Sequence, residues 1–421
     1  MIEKFIIKGA KKLEGEIEVN GSKNAAGPIL AATLLTNEEC IIDNLPKISD
    51  IFNLLDILKT MGAEVDWVGD RKVKIKTGDN IDPEKMDFEK MSKTRVSVLL
   101  IGALLPKFKK FKVSRPGGDR IGLRPITTHL EALKELGVEF EEQGEFYHFN
   151  SEKLVTKEIV LSEFSVTATE NLIMVASLSK GETIIKGAAC EPHVQDLIKM
   201  LDNMGANIEG SGTHTLKVKG VEKLKGVEHK LIPDYLEAGT FITIGAVVGK
   251  KIKINNVIPE HLDLFLAKMK EIGVEFKITN NSIEVWGEGN LNPVHVQALP
   301  YPGFPTDLLP IVVPLLTQAK GKSLIHDPLY PNRFSYVDEL RKMGADIERV
   351  DPHRAFIFGQ TPLRGMKIES WDIRAGASLV VAGLMAKGET TIGNINQIDR
   401  GYEKIEERLQ KIGADIKRVS N

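Results

Sequence analysis

Six cations and two acids stand out by type and place. Lys23, Arg95 and Arg374 each lie where an apolar helical pattern begins, and Arg124, Arg333 and Arg400 each precede an amphipathic one. A helix N-terminus presents free N–H groups and the positive end of its dipole, so it attracts anions. An arginine fork at such an end grips carboxylate or phosphate in a fixed plane. One arginine alone is as readily half of a surface ion pair. Six cations on equivalent ends of equivalent units point to a polyanionic ligand. Two carboxylates interrupt the set. Asp119 lies in the glycine-rich loop Arg115-Pro116-Gly117-Gly118-Asp119-Arg120-Ile121-Gly122, and Asp307 in Gly303-Phe304-Pro305-Thr306-Asp307, before an apolar helix. An acid and a base on separate elements suit a reaction that delivers one proton and removes another. Spacing alone leaves two structural readings open, Asp307 as a helix N-terminal carboxylate and Asp119 as a turn residue. The loop lacks the G-x-x-x-x-G-K-[ST] pattern of a P-loop, and no G-x-G-x-x-G follows a strand.

The elements that must position these residues come from an internal repeat. The stop signal Met61-Gly62-Ala63 returns as Leu136-Gly137-Val138, Met204-Gly205-Ala206, Ile272-Gly273-Val274, Met343-Gly344-Ala345 and Ile412-Gly413-Ala414. The glycines are 75, 68, 68, 71 and 69 residues apart, a periodicity that marks six copies of one supersecondary unit. The turn Gly181-Glu182-Thr183 recurs as Gly388-Glu389-Thr390. Each copy opens with a helix that is apolar all round, as in Val96 to Leu105, Leu172 to Leu178, Phe241 to Val248, Leu308 to Leu316 and Leu379 to Met385. Such a helix must be buried. A strand follows, then an amphipathic helix. In the last copy that helix carries Tyr402, Ile405, Leu409 and Ile412 on one face, and Gly413 caps it in the left-handed region.

The expected class is α/β: two inside-out, barrel-like domains, each of three strand–helix repeats with sheets enclosing the inner helices. The expected division runs between repeats three and four. It gives one domain over residues 22–230 and another over 1–21 plus 231–421, with the N-terminal strands completing the second. A hinge and a ligand cleft between them would follow.

The remaining composition narrows the class. Over 421 residues the net charge is −2, which argues against nucleic acid or an anionic membrane as partner. Cys40 and Cys190 are the two cysteines, a usage that fits a reducing compartment. The nine histidines show no metal-ligand spacing. No apolar run approaches the ~20 residues of a membrane span, and the start MIEKFIIKG lacks a signal-peptide core. A cytoplasmic protein without metal or cofactor is expected, and no protein partner is inferred.

Six ordered motifs now carry a resemblance. Gly21-Ser22-Lys23-Asn24-Ala25, the Pro-Gly-Gly loop ending in Arg124-Pro125, Gly303 to Asp307, Asn332-Arg333-Phe334, Asp372-Ile373-Arg374-Ala375 and Asp399-Arg400-Gly401-Tyr402 span essentially the whole chain. Together they resemble the UDP-N-acetylglucosamine enolpyruvyl transferases (1-carboxyvinyltransferases) of peptidoglycan synthesis. The resemblance implies the enolpyruvyl transferase fold and a reaction between phosphoenolpyruvate and the 3-hydroxyl of the amino sugar. It implies that Lys23, Arg124 and Arg400 grip phosphoenolpyruvate, with Arg333 and Arg374 in support. Asn24, Arg95, Arg124, Pro125, Ile126, Thr127, Thr128, Ser165, Val166, Asp307 and Leu329 fall where the family holds its substrates. Asp307 is similar to the family's base, and Asp119 stands at the proton-donor position. Three residues depart from the pattern: Asp119 where Cys is usual, Glu163 where many members have Lys, and His193 where Glu is common. The sister transferase acting on 3-phosphoshikimate and a non-catalytic nucleotide-sugar-binding paralogue are the alternatives.

Fosfomycin inactivates members of the family by alkylation of the loop cysteine, which requires a thiolate nucleophile. With Asp119 in that place, the active protein should form no fosfomycin adduct by mass spectrometry. Asp119→Cys should gain sensitivity and keep some activity, whereas Asp119→Ala should lose activity. An adduct on the unaltered chain, or normal turnover by Asp119→Ala, would remove the donor assignment.

Overall fold

The glycine stop signals set the register of the whole chain. In the computed structural model, which describes residues 3–117, 125–287, 289–331 and 333–420, all six adopt positive φ. The values are 107° at Gly62, 83° at Gly137, 100° at Gly205, 95° at Gly273, 100° at Gly344 and 98° at Gly413. That region is strained for residues with a Cβ, so each glycine turns the chain from helix into strand. Asp119, Arg124 and Asn332 lie outside the described residues.

The described chain divides into two compact units. One comprises residues 3–20 and 233–420, the other 21–117 and 125–232. Each has its own hydrophobic core. In the first unit the helices Tyr235–Val248, Leu309–Leu316 and Ile373–Met385 contact one another and are buried nearly throughout. Three four-stranded sheets belong to this unit. Their outer helices, such as Asp263–Ile272 and Ser335–Lys342, bury one face. Glu3–Lys8 pairs antiparallel with both Glu389–Gly393 and Asp415–Ser420, setting Ile7 opposite Thr390 and Ile416. Leu13–Glu18 pairs parallel with Gly249–Asn255. Phe5, Ile7, Leu13 and Ile17 from these two strands are buried on the core side, following the two-residue period.

In the second unit the helices Lys23–Ala32, Leu99–Leu104 and Val166–Ser177 are the apolar ones. Two four-stranded sheets and one three-stranded sheet belong to it, and Ser49–Thr60, Thr127–Glu135 and Pro192–Asn203 are the amphipathic helices. The recurrent sheet plan is an antiparallel hairpin plus a parallel edge strand. Glu158–Val160 runs parallel to Glu182–Lys186, and Val227–Lys230 parallel to Glu39–Asp43.

Three local expectations are corrected. The run Val96 to Leu105 is a 3-10 turn, Arg95–Val98, followed by the α-helix Leu99–Leu104. The run Leu308 to Leu316 begins as the 3-10 turn Thr306–Leu308 before Leu309–Leu316, with Pro310 at the first α-helical turn. Proline supplies no N–H, so a tighter turn ahead of it leaves no donor stranded. The last amphipathic helix covers Ile405–Lys411 and excludes Tyr402. Lys404 at φ 42° breaks the pattern, although Tyr402, Ile405, Leu409 and Ile412 are all buried. Shared burial therefore mimicked one helical face across a turn.

A buried amide joins two inner helices of the second unit. Asn171 Oδ1 accepts from Gly102 N at 2.8 Å, and its Nδ2 donates to Val98 O at 3.1 Å. Both backbone groups lie at the 3-10 to α junction, where orphan donors and acceptors arise. A Cβ on Gly102 would sit 2.5 Å from Asn171 Oδ1 and 2.6 Å from its Cα. Gly102→Ala should destabilise the chain by about 1–3 kcal/mol through overpacking. Asn171→Leu should cost about as much by stranding the two backbone groups. Denaturant midpoints unchanged in both variants would refute this account.

Candidate functional site

In the first unit, one carboxylate gathers the predicted cations. Arg333 Nη2 lies 2.5 Å from Asp307 Oδ1, and Arg374 Nε lies 3.0 Å from Oδ2. Both arginine side chains are at most 5% exposed, whereas the Asp307 side chain is 27% exposed and can be reached from solvent. Each arginine has a second anchor. Arg333 Nη1 donates to Thr306 Oγ1 at 2.7 Å, and that hydroxyl donates to Asp327 Oδ2 at 2.6 Å. Arg374 Nη1 donates to the Tyr402 hydroxyl at 2.9 Å. Burial by itself would raise the Asp307 carboxyl. The charges of Arg333 and Arg374, with their hydrogen bonds, outweigh it and hold the group well below the usual carboxylate range.

Local sequence explains the placement. Asp372 caps the Ile373–Met385 helix by accepting from Arg374 N at 2.9 Å and Ala375 N at 2.8 Å. It thereby offsets the cost of a cation at a helix start. Ser335 Oγ donates to the other oxygen of that carboxylate at 3.2 Å, which ties the cap to the helix that follows Arg333. Asp327 Oδ1 accepts from Leu329 N at 3.0 Å and Tyr330 N at 3.2 Å, which fixes the turn carrying Leu329. Asp399 is committed to Arg418, at 2.6 and 2.9 Å, and so anchors the turn that bears Arg400. Arg400 is half-buried and donates to Gln397 Oε1 at 3.1 Å. Gly401 is required by space: a Cβ there would lie 2.3 Å from Ile373 Cγ2.

In the second unit the predicted residues form two groups. Lys23 opens the Lys23–Ala32 helix, capped by Ser22 Oγ accepting from Ala25 N at 3.3 Å. Its Nζ lies 3.0 Å from Asp50 Oδ2, a buried carboxylate in the first turn of Ser49–Thr60. Asn24 beside it is half-buried. The other group surrounds the starts of Thr127–Glu135 and Val166–Ser177. Arg95 Nη2 donates to Pro125 O at 3.2 Å, and Ser165 Oγ caps the second helix by accepting from Ala168 N at 3.4 Å. Thr127 is exposed, and Ile126 and Thr128 are buried. Thr128 Oγ1 donates to Glu163 Oε1 at 2.9 Å, so this acidic residue has a hydroxyl partner. Val166 is half-buried, and His193 lies buried in the first turn of Pro192–Asn203. No cluster of metal-ligating side chains occurs among the described residues, and no helix of the described residues is long and apolar enough to cross a membrane.

The partner of Lys23 and the anchor of Arg374 were not found from sequence. Asp50 reads as an ordinary first-turn helix carboxylate. Tyr402 belongs to a quoted motif, but its helical spacing to Ile405 assigned it to the core.

The chain resembles known proteins over its length. The model of the family EPSP synthase (3-phosphoshikimate 1-carboxyvinyltransferase) matches residues 7–409. UDP-N-acetylglucosamine 1-carboxyvinyltransferase 1 of Carboxydothermus hydrogenoformans is 44% identical, covering 100% of this chain and 99% of its own. UDP-N-acetylglucosamine 1-carboxyvinyltransferase 2 of Bacillus subtilis is 43% identical, covering 99% and 96%. Among solved structures, the enolpyruvyl transferase NikO from Streptomyces tendae superposes with a TM-score of 0.91 at 22% identity, covering 100% of this chain and 99% of that one. An EPSP synthase from Acinetobacter baumannii gives 0.73 at 18% identity, over 100% of both chains. These two likenesses establish the fold.

His129 supplies a pH test of the second group. It is buried, and its Nε2 lies 2.8 Å from Thr167 Oγ1. Burial and, less strongly, the Arg95 charge push it down to about 3. The folded state therefore keeps His129 neutral while the unfolded chain protonates near pH 6.5. Stability from this group is complete above that pH and falls as pH drops toward the folded value. Between pH 8 and pH 5 the expected loss is about 2 kcal/mol. His129→Gln should flatten this part of the curve in chemical denaturation, and an unchanged slope would contradict it.

Proposed function

The chain belongs to the UDP-N-acetylglucosamine 1-carboxyvinyltransferases, within the wider EPSP synthase family, and from that premise we propose its reaction and the roles of its residues. It is a transferase that moves the enolpyruvyl group of phosphoenolpyruvate to the 3-hydroxyl of UDP-N-acetylglucosamine and releases phosphate. The reaction is assigned to the first committed step of peptidoglycan synthesis, in the cytoplasm, and so to cell-wall growth, shape and division. The observation that carries the reading is Asp307 held between two buried arginines while its own side chain stays partly exposed.

In the proposed sequence the sugar oxygen adds to C2 of phosphoenolpyruvate while Asp307 takes the hydroxyl proton. Asp119 delivers a proton to C3. Cleavage of the C2–phosphate oxygen bond then releases phosphate, and loss of a proton from C3 restores the double bond. Lys23, Arg124 and Arg400 are assigned to the phosphoenolpyruvate anion, with Arg333 and Arg374 beside it. Arg95, the segment Arg124 to Thr128, Ser165, Val166 and Leu329 are assigned to the nucleotide sugar. Cations aimed at developing negative charge stabilise the addition and the departure of phosphate. We assign residues 22–230 as one domain and residues 1–21 plus 231–421 as the other.

Asp307 starts as a weak base because both guanidinium groups lie on it. A substrate phosphate or carboxylate competes for the same N–H donors. Each contact that passes from Asp307 to the substrate raises the proton affinity of Asp307. The substrate anion thus strengthens the base that consumes the sugar proton.

Phosphate release should require UDP-N-acetylglucosamine and should not occur with 3-phosphoshikimate, and the reverse preference would overturn the assignment. Asp307→Asn should lose turnover at least a hundredfold. It should also lower thermal stability, since two buried arginines lose their counter-charge. In the unaltered protein, activity should fall as pH drops through the pKa of the base. That limb should lie at higher pH in kcat than in kcat/KM, because the complex has drawn the arginines away. Coincident limbs would contradict the exchange of arginine contacts.

A further inference from the structure

A directional chain of hydroxyls lies behind Arg374. Thr240 Oγ1 donates its one proton to Leu236 O at 2.9 Å, within the Tyr235–Val248 helix. The contact between Thr240 Oγ1 and the Tyr402 hydroxyl is 2.8 Å. With the Thr240 proton committed, the Tyr402 O–H must be the donor there. Its oxygen is then left to accept from Arg374 Nη1 at 2.9 Å. Arginine can only donate, so every proton in the series Arg374, Tyr402, Thr240, Leu236 has a single assigned direction. Thr240 and Tyr402 are both 0% exposed, so bulk solvent does not reach these bonds. Burial pushes the tyrosine pKa up, which keeps the proton the relay needs. The Arg374 guanidinium also lies over the Tyr402 ring at 5.3 Å, and the carboxylate that caps the Tyr235–Val248 helix, Asp234, adds favourable charge to Arg374.

Tyr402 also holds the turn of Arg400, two residues earlier. Its backbone N donates to Ile398 O at 2.9 Å, and Gly401 packs on the first residue of the helix that carries Arg374. We infer that the Tyr402 hydroxyl, oriented by Thr240, is a positioning group that fixes Arg374 relative to Asp307 for the anionic substrate. This deepens the proposed function and rests on it. Neither Tyr402 nor Thr240 touches Asp307. Their effect acts through Arg374, so it should fall on the smaller anion and spare the nucleotide sugar.

Tyr402→Phe keeps the ring and its packing and removes the hydroxyl. Thr240→Val keeps the shape and removes the acceptor. Each should raise KM for phosphoenolpyruvate about tenfold, with KM for UDP-N-acetylglucosamine within twofold. Thr240→Ser should behave as the unaltered protein. Because both hydroxyls serve one relay, the double variant should be no worse than Tyr402→Phe alone. Equal shifts for both substrates, or no shift in either variant, would overturn the inference. A variant that fails to fold leaves the other to decide. A separate readout needs no turnover: the side-chain nitrogen spectrum of 15N-arginine-labelled full-length chain. Arg374 Nη resonances should be resolved by hindered rotation in the unaltered protein and averaged in Tyr402→Phe. An unaltered protein without activity on these substrates would refute the proposed function, while unchanged Arg374 spectra would refute the relay.

Discussion

One carboxylate facing two buried arginines is the contact on which the first unit depends. Arg333 and Arg374 arrive from different repeats, 26 and 67 residues from Asp307 along the chain. Burying two guanidinium groups costs several kcal/mol each unless charge and hydrogen bonds replace water. Asp307 supplies the one carboxylate in direct contact with both. Asp327 answers through Thr306, and Asp372 and Asp234 answer from helix caps. At the contact itself two guanidinium groups share one carboxylate, and a phosphate or carboxylate of a substrate would compete for their N–H donors. The same two guanidinium groups suppress the basicity of Asp307.

Cations at helix starts oppose the helix dipole, and the chain offsets this with caps. Ser22 precedes Lys23, and Asp372 precedes Ile373 and Arg374. The cap satisfies the backbone donors, so the long cationic side chain can be directed at a partner rather than at its own helix. In the second unit Lys23 reaches Asp50 at the start of another helix. The principle is shared with Asp307, but with one cation for one buried acid the pair is closer to neutral.

Polar groups inside the apolar helices serve a different purpose. Asn171 and Thr240 are fully buried on inner helices of the two units. Asn171 satisfies the junction before Leu99–Leu104, and Thr240 directs the Tyr402 hydroxyl. In a low-dielectric interior each would be costly if half satisfied. Their complete pairing fixes which helix meets which, something apolar packing specifies less sharply.

The repeat, the burial of the opening helices and the six helix stops were legible in the sequence, because each rests on local physics. Only glycine adopts positive φ without a Cβ penalty, and an all-apolar helix has no solvent face. Lys23 and Arg374 at the starts of capped helices were legible for the same reason, since helix ends are local features. What sequence reasoning missed is non-local. Tyr402 and Ile405 share burial but not a helix, because Lys404 turns the chain in a conformation that residue type does not announce. The Thr240–Tyr402 contact spans 162 residues, and no periodicity encodes it. Sequence determined that arginines and an aspartate stand at helix starts. Only tertiary packing decided that Arg333 and Arg374 close on Asp307 while Asp399 turns to Arg418, because ion pairing follows distance in space and burial, not position along the chain.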